Sequence, residues 1–427
     1  MNTGFTAVLL AAGKNTRFWP LSNKKHKCMY NLVGKPVLYF TLLGLKKNNI
    51  NNIIIVVSPN DNSIKDYFGN GEQLGLNIEY SIQQDALGMG NAILSAKNYI
   101  KTDNFFVLNA DQSNVDELIP QMINLKKQNN NLVLASQETK TPWLYGILKI
   151  ENNIVKNIIE KPKQGYEPSN LMVIGIYLLP KDFLGILEKE QTAEYNYEEV
   201  IQKYIDTKGK VGFVKFENLP EITLKFPWDL FRMNKYLFDK YITKSNISKN
   251  AKIHKTAIIE GNVVIEDNVS VFEYAVIKGP VYISEGAIIG NHSLTRDYTY
   301  IGKKSIVGFG TEVKHSLMFD RVETHKNYIG DSIVDDNCGF GAGSITANRR
   351  LDRGNIISYI KGEKVDTQSS FFGNVFGCNV HSGILAGFMP GIKIGNNCNI
   401  GASTFVFKDL PDNSICFCKD NNIIKLL

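Results

Sequence analysis

Two rhythms of apolar residues divide the chain near residue 240. From Thr6 onward, short β-rich runs alternate with longer helix-length runs: AVLLA, VLYFTLLGLKK, NIIIVVS, NAILSAKNYI and FFVLNAD. Strand-length runs without polar alternation suit strands buried on both faces. Their alternation with helical segments predicts a doubly wound, mainly parallel α/β sheet of Rossmann-like type. Around Ser245 the helical patterning stops, and Ile247, Ile253, Ile259, Ile265, Val271, Ile277, Ile283 and Ile289 recur every six residues. Ile301, Val307 and Val313 resume the register after an irregular stretch. Ile394 and Ile400, with Ile392, Gly395 and Gly401 beside them, repeat it near the C-terminus. A period of six, with β-branched residues inward and Asn, Asp or Gly at the corners, predicts a parallel β-helix with three hexapeptides per coil. The expected domains are therefore residues 1–240 and 241–427.

Composition narrows the function without fixing it. The 427 residues are 43% hydrophobic and 21% charged, with a net charge of +6 spread thinly along the chain. Short basic clusters such as Lys24-Lys25-His26-Lys27 read as local anion sites, not a nucleic-acid stripe, so phosphorylated small molecules are the expected partners. The six cysteines form no C-x-x-C pair, and the opening MNTGFT carries no basic region followed by an apolar core. A reduced, cytoplasmic protein is expected. No apolar run approaches the ~18 residues of a membrane span, so no membrane partner is expected.

Doubly wound sheets bind ligands at the carboxyl ends of their strands. There Leu10, Ala11, Ala12 and Gly13 offer backbone N–H groups unobstructed by large side chains, and Arg17 and Lys27 can neutralise an anion. Asp111, closing FFVLNAD, suits Mg²⁺, although a turn aspartate would look the same. The whole stretch VLLAAGKNTRFWPLSNKKHK resembles the sugar-1-phosphate nucleotidyltransferase signature L-A-[AG]-G-x-G-T-R-x-x-P-L-[ST] followed by P-K. Asn15 replaces the second glycine and His26 the proline. Asn tolerates positive φ better than other non-glycine residues, so the turn is expected to persist.

The resemblance implies more. Asp229 in FPWDL takes the place of the family's second metal-binding residue. IQQDALGMGNA matches its base-reading element, with Gln83 pairing a pyrimidine, Gly88 leaving room for the ring, and Met89 in place of the usual Thr. Glu160 and Lys161 in NIIEKP, Tyr145 with Gly146, and Gly175 in VIGIY match its sugar pocket, with Val173 where an asparagine is common. The implied reaction is attack of a sugar-1-phosphate on the α-phosphorus of UTP or dTTP, releasing pyrophosphate.

The hexapeptide half resembles acyltransferases whose prism is left-handed and commonly trimeric, so a homotrimer is expected. THKNYIGDSIVDDNCGFGAGSITAN resembles the acetyltransferase half of bifunctional N-acetylglucosamine-1-phosphate uridyltransferases. That likeness makes His325 the general base and gives Tyr328 and Asn348 the orienting of substrate. Arg296 and Lys314 become the sugar-phosphate ligands, acetyl-CoA the donor, and glucosamine-1-phosphate or a related amino sugar the acceptor. The chain departs from the likeness at Gly339, where an asparagine is usual, and from Arg349 to Phe372. Lys361 and Lys364 are the nearest lysines to the expected places there. Two other readings stay open: a β-helix serving only for assembly or regulation, and a catalytically silent subunit that binds nucleotide sugars.

Overall fold

The computed structural model describes residues 4–22, 25–128, 131–190, 197–208, 210–217 and 223–418; Asn23 and Lys24 of the signature stretch lie outside them. The chain forms two compact units. One is built on Met1–Lys14, Lys25–Tyr30 and Lys35–Thr223, the other on Asn15–Lys24, Asn31–Gly34 and Leu224–Leu427.

The strands of the first half are β1 (Phe5–Ala11), β2 (Asn31–Leu32), β3 (Lys35–Pro36), β4 (Asn52–Val57), β5 (Asn77–Ile82), β6 (Asn104–Asn109), β7 (Leu132–Glu138), β8 (Gly146–Glu151), β9 (Ile154–Glu160), β10 (Leu171–Pro180) and β11 (Val211–Phe216). The helices are α1 (Val37–Lys47), α2 (Ser63–Phe68), α3 (Met89–Ser95), α4 (Val115–Lys126), α5 (Phe183–Lys189), α6 (Tyr197–Lys208) and α7 (Asp229–Tyr241). The main sheet runs β11-β7-β10-β6-β1-β4-β5. β5, β4, β1 and β6 are mutually parallel, while β10 enters antiparallel to both β6 and β7. Successive residues of the buried strands feed opposite layers. Ala7 and Leu9 pack with Leu38, Leu42, Leu118 and Ile119 from α1 and α4, and Val8 packs with Ile93, Phe183 and Ile201 from α3, α5 and α6. This two-sided burial explains the unbroken apolar runs.

From Asn246 onward three parallel sheets stack one strand per coil, the left-handed β-helix expected from the period. Ile247 pairs with Ile265 and that with Ile283; Ile253 pairs with Val271 and that with Ile289. The interior positions are sealed: Ile277, Ile283 and Ile289 are fully buried, whereas Ile247, on the terminal coil with no coil beyond it, is 41% exposed. The corners are less selective than the period suggested. Alongside Asn268, Asn337 and Gly286, the bulky Tyr274, Lys304, Arg321 and Leu385 adopt positive φ. Each of three donates its N–H to the coil before it, Lys304 to Glu285, Arg321 to Lys303 and Leu385 to Ala342. The stacked backbone thus over-determines a conformation that side-chain preference opposes.

The divergent stretch after Asn348 leaves the prism. Ile333 pairs directly with Val375, and within the stretch after Asn348 the chain folds into an antiparallel hairpin, Ile357–Ile360 against Glu363–Asp366. Before the prism begins, α7 lies along it: Phe231 stacks on His315 at 4.9 Å and Asn234 Nδ2 donates to the Tyr298 carbonyl at 2.7 Å.

Candidate active sites

Because β1, β5 and β6 run parallel in one sheet, the loops after Ala11, Ile82 and Asn109 leave the same edge. The Leu10 carbonyl accepts the Ala110 N–H at 3.2 Å, tying the small-residue loop to the segment that carries Asp111. Asp111 is fully buried, and its Oδ2 lies 3.0 Å from Lys27 Nζ. Lys27 opens a short 3-10 turn, Lys27–Met29, with His26 as its cap. The His26 backbone (φ −60, ψ 145) is one a proline also holds, so the path of the chain is kept. The imidazole adds what proline lacks, with Nδ1 accepting the Cys28 N–H at 3.3 Å. Burial lowers the His26 pKa to about 4, helped by the Lys27 charge and opposed by Asp111 and Asp61. Burial, with Asp111 adding to it, pushes the Cys28 thiol well up, so this sulfur is no nucleophile. Asn15 sits at φ 49, ψ 31, the left-handed conformation expected of it.

Gln83 and Gly88 do meet. Gln83 is buried and donates from Nε2 to the Gly88 carbonyl at 3.1 Å and to Asn91 Oδ1 at 2.8 Å. These bonds hold Gly88, at φ 93, as the cap of α3. Asn91 was not evident beforehand, although it lies within the quoted motif. The sugar-side residues gather on the β8–β9 hairpin. Gly146 pairs with Glu160, and a Cβ at Gly146 would stand 2.9 Å from Glu160 Oε2, so the glycine leaves room for that carboxylate. The Lys161 N–H donates to the Tyr145 carbonyl at 3.0 Å, and Lys161 Nζ lies 3.4 Å from Glu160 Oε1. Gly175 (φ 70) sits where β10 shifts register against β7, and its missing side chain would press on Asn109 Nδ2 at 3.3 Å. That places it at the strand end leading to Asp111.

Arg17 and Asp229 belong to the other unit. Arg17 is exposed in the 3-10 turn Thr16–Phe18. Asp229 is buried at the start of α7; its Oδ2 accepts the N–H groups of Lys225 and Phe226, each at 2.7 Å, while Oδ1 pairs with Arg232.

On the prism, Arg296, Lys314 and Gly330 are successive rungs of one ladder, as are Glu312 and Tyr328. The coil repeat therefore stacks the two expected phosphate ligands directly. Arg296 pairs with Glu312 at 2.9 Å and with Asp297. Asp331 organises the rest. Its Oδ2 accepts from Asn348 Nδ2 at 2.6 Å and pairs with Lys314 at 3.2 Å, and its Oδ1 pairs with His315 Nδ1 at 2.8 Å. Asn348 also donates to the Tyr328 hydroxyl at 3.0 Å. Burial opposes the Asp331 charge, but His315, Asn348 and Lys314 together hold the carboxyl below its usual range. Burial, then Asp331, raises the Tyr328 phenol, leaving it a neutral hydrogen-bonding group. Lys314, Tyr328 and Asn348 are thus brought together with two residues not singled out in advance, His315 and Asp331. Asp331 ends the H-x-x-Y-x-G-D string and could have been read there. His325 stands apart on an exposed corner, its backbone N–H bonded to Asn327 Oδ1; among the described residues its imidazole makes no hydrogen bond.

The nucleotidyl transferase family model matches residues 6–220. The bifunctional protein GlmU of Methanococcus maripaludis strain C5 is 35% identical over 98% of both chains. The bifunctional sugar-1-phosphate nucleotidylyltransferase/acetyltransferase of Sulfurisphaera tokodaii is 30% identical over 95% of this chain and 98% of its own. A solved UDP-glucose pyrophosphorylase from Acinetobacter baumanii is 27% identical, with a TM-score of 0.44, over 49% of this chain and 85% of its own.

Proposed function

The chain belongs to the family of bifunctional sugar-1-phosphate nucleotidylyltransferases/acetyltransferases that includes GlmU, and from that premise we propose what each half does. Residues 1–240 couple a nucleoside triphosphate, UTP or dTTP, to a sugar-1-phosphate with release of pyrophosphate. Residues 241–427 acetylate the amine of glucosamine-1-phosphate or a related amino sugar, using acetyl-CoA. The observation that carries the first reading is the Lys27–Asp111 pair at the sheet edge where the Leu10–Gly13 loop emerges.

A sugar phosphate is already ionised at neutral pH, so its oxygen needs no general base. Catalysis then consists of alignment and charge neutralisation. The Leu10–Gly13 backbone holds the triphosphate, and the lysine and Arg17 balance its charge. Gln83 and Gly88 receive the base. Tyr145, Gly146, Glu160, Lys161 and Gly175 receive the sugar and its phosphate. Mg²⁺ suits the hard carboxylate oxygens of a buried aspartate, and when bound it neutralises phosphate charge. Asp111 would hold it, and sequence order extends the same role to Asp229. A pyrophosphate-release assay over a panel of triphosphates and sugar-1-phosphates tests this half. Lys27→Ala is expected to lower turnover by roughly a hundredfold or more with the fold intact, and unchanged turnover would refute the assignment.

For the second half, Arg296 and Lys314 bind the sugar phosphate, Tyr328 and Asn348 orient it, and His325 takes the amine proton. The protein is proposed to be a cytoplasmic homotrimer with this site completed at the seam between prisms. The exposed Ile345 and Phe405, aligned on one ladder through Gly387, offer apolar surface for such a seam. A nucleotidyltransferase with a purely architectural prism is the second reading, favoured by the isolation of His325. Thiol release from acetyl-CoA in the presence of glucosamine-1-phosphate separates the two. Release that persists in His325→Ala would exclude that residue as the base.

A further inference from the structure

The Arg17 turn is held by the far end of the chain. Asn15 turns the backbone with positive φ; Arg17 stands exposed; Phe18 and Leu21 are buried behind it. Between them Trp19 and Pro20 dock on the last coils of the prism, within the same compact unit. Trp19 Nε1 donates to Asp412 Oδ1 at 3.1 Å, and Asn396 Nδ2 donates to the Pro20 carbonyl at 3.1 Å. The two partners are themselves locked together, because Asp412 Oδ1 also accepts the Asn396 N–H at 2.8 Å and its Nδ2 at 3.2 Å. A third contact comes from Lys393, whose ammonium lies 5.8 Å from the centre of the Trp19 ring. Only 2% of the Lys393 side chain is exposed, and Asp409 Oδ2, Ser358 Oγ and the Tyr359 carbonyl all accept from it. Its charge is therefore fixed in place.

We propose that Asp412 and Asn396 are positioning residues for nucleotidyl transfer, acting through Trp19 and Pro20 to fix the Arg17 guanidinium. This rests on the reading that Arg17 neutralises the triphosphate. A long, exposed side chain contributes to transition-state stabilisation only if its backbone is fixed, since small displacements of an aligned charge cost much of its effect. One side of the turn is set by a left-handed residue and the other by this clasp.

Asp412→Ala and Trp19→Phe, the latter keeping an aromatic ring but removing the Nε1 donor, test the proposal in the two-unit chain by steady-state pyrophosphate release. Each is expected to lower kcat roughly tenfold while KM for the sugar-1-phosphate stays within about twofold. Asp412→Asn, which retains an acceptor oxygen, should restore most of the rate. In an Arg17→Ala background, Asp412→Ala should have little further effect, as expected of residues acting through one group. A melting-temperature loss with kcat per folded enzyme unchanged would mean a merely structural clasp and would overturn the proposal. So would full additivity of Arg17→Ala and Asp412→Ala. If Arg17→Ala itself kept full activity, the role of Arg17 would fall, and the clasp would have nothing to position.

Discussion

Burial keeps the His26 imidazole neutral down to a pKa of about 4, beside a Lys27 ammonium that also resists its protonation. In the unfolded chain the same group titrates near 6.5. Between these values the unfolded state holds the extra proton, so the contribution to stability is intact above pH 6.5 and is lost as pH falls toward 4. The loss is on the order of 3 kcal/mol. Urea unfolding of His26→Gln should therefore show a flatter pH dependence across that window than the parent chain; parallel curves would exclude the imidazole as the cause. The neighbouring residues differ in how far they could be read from the chain. Asp111 was legible because strand ends mark where ligands meet a parallel sheet, and Lys27 because it is the lysine of the signature stretch. Arg296 and Lys314 were legible through the acetyltransferase likeness, and the structure adds that one coil step stacks them. Asp331 could be placed from the H-x-x-Y-x-G-D string, but not the direction of its carboxylate, since at φ 47 that is set by a corner conformation that no periodicity reports.

Elements carry the specificity that single residues only suggest. Gly175 occupies positive φ at the shift in β10, with Asn109 within 3.3 Å of any added Cβ. Gly175→Ala should raise KM for the sugar-1-phosphate several-fold, with a left-handed alanine also costing about 1–2 kcal/mol. An unchanged KM would detach this bend from sugar binding. The hairpin after Asn348 was visible in the chain only as a break in likeness. Its fold could not be read, because its pairing lies outside the three sheets whose register the hexapeptides encode. The stacked coils on either side close over it, Ile333 to Val375, so the core does not register the insertion. Helix α1 was the opposite case. VLYFTLLGLKK became Val37–Lys47 because its apolar residues bury against β1 and β4 on one side of the sheet.

At the scale of the molecule, both fold classes followed from periodicity alone, since burial on two faces and burial inside a prism leave different apolar rhythms. That the Arg17 turn belongs with the prism did not follow, because the contacts that hold it there are single side chains in loops. A trimer is expected by light scattering, and Phe405→Asp should shift the mass toward the single chain if the apolar ladder forms the seam. A variant that keeps the three-chain mass would place the seam elsewhere. The Trp19–Asp412 bond has one more consequence, and it concerns time. Trp19 precedes Asp412 by 393 residues, so the turn bearing Arg17 waits for that whole stretch to be translated before it can lock. A chain halted short of Asp412 would display the signature loop without its anchor, and its nucleotidyl transfer would run at the reduced rate expected of the unclasped turn.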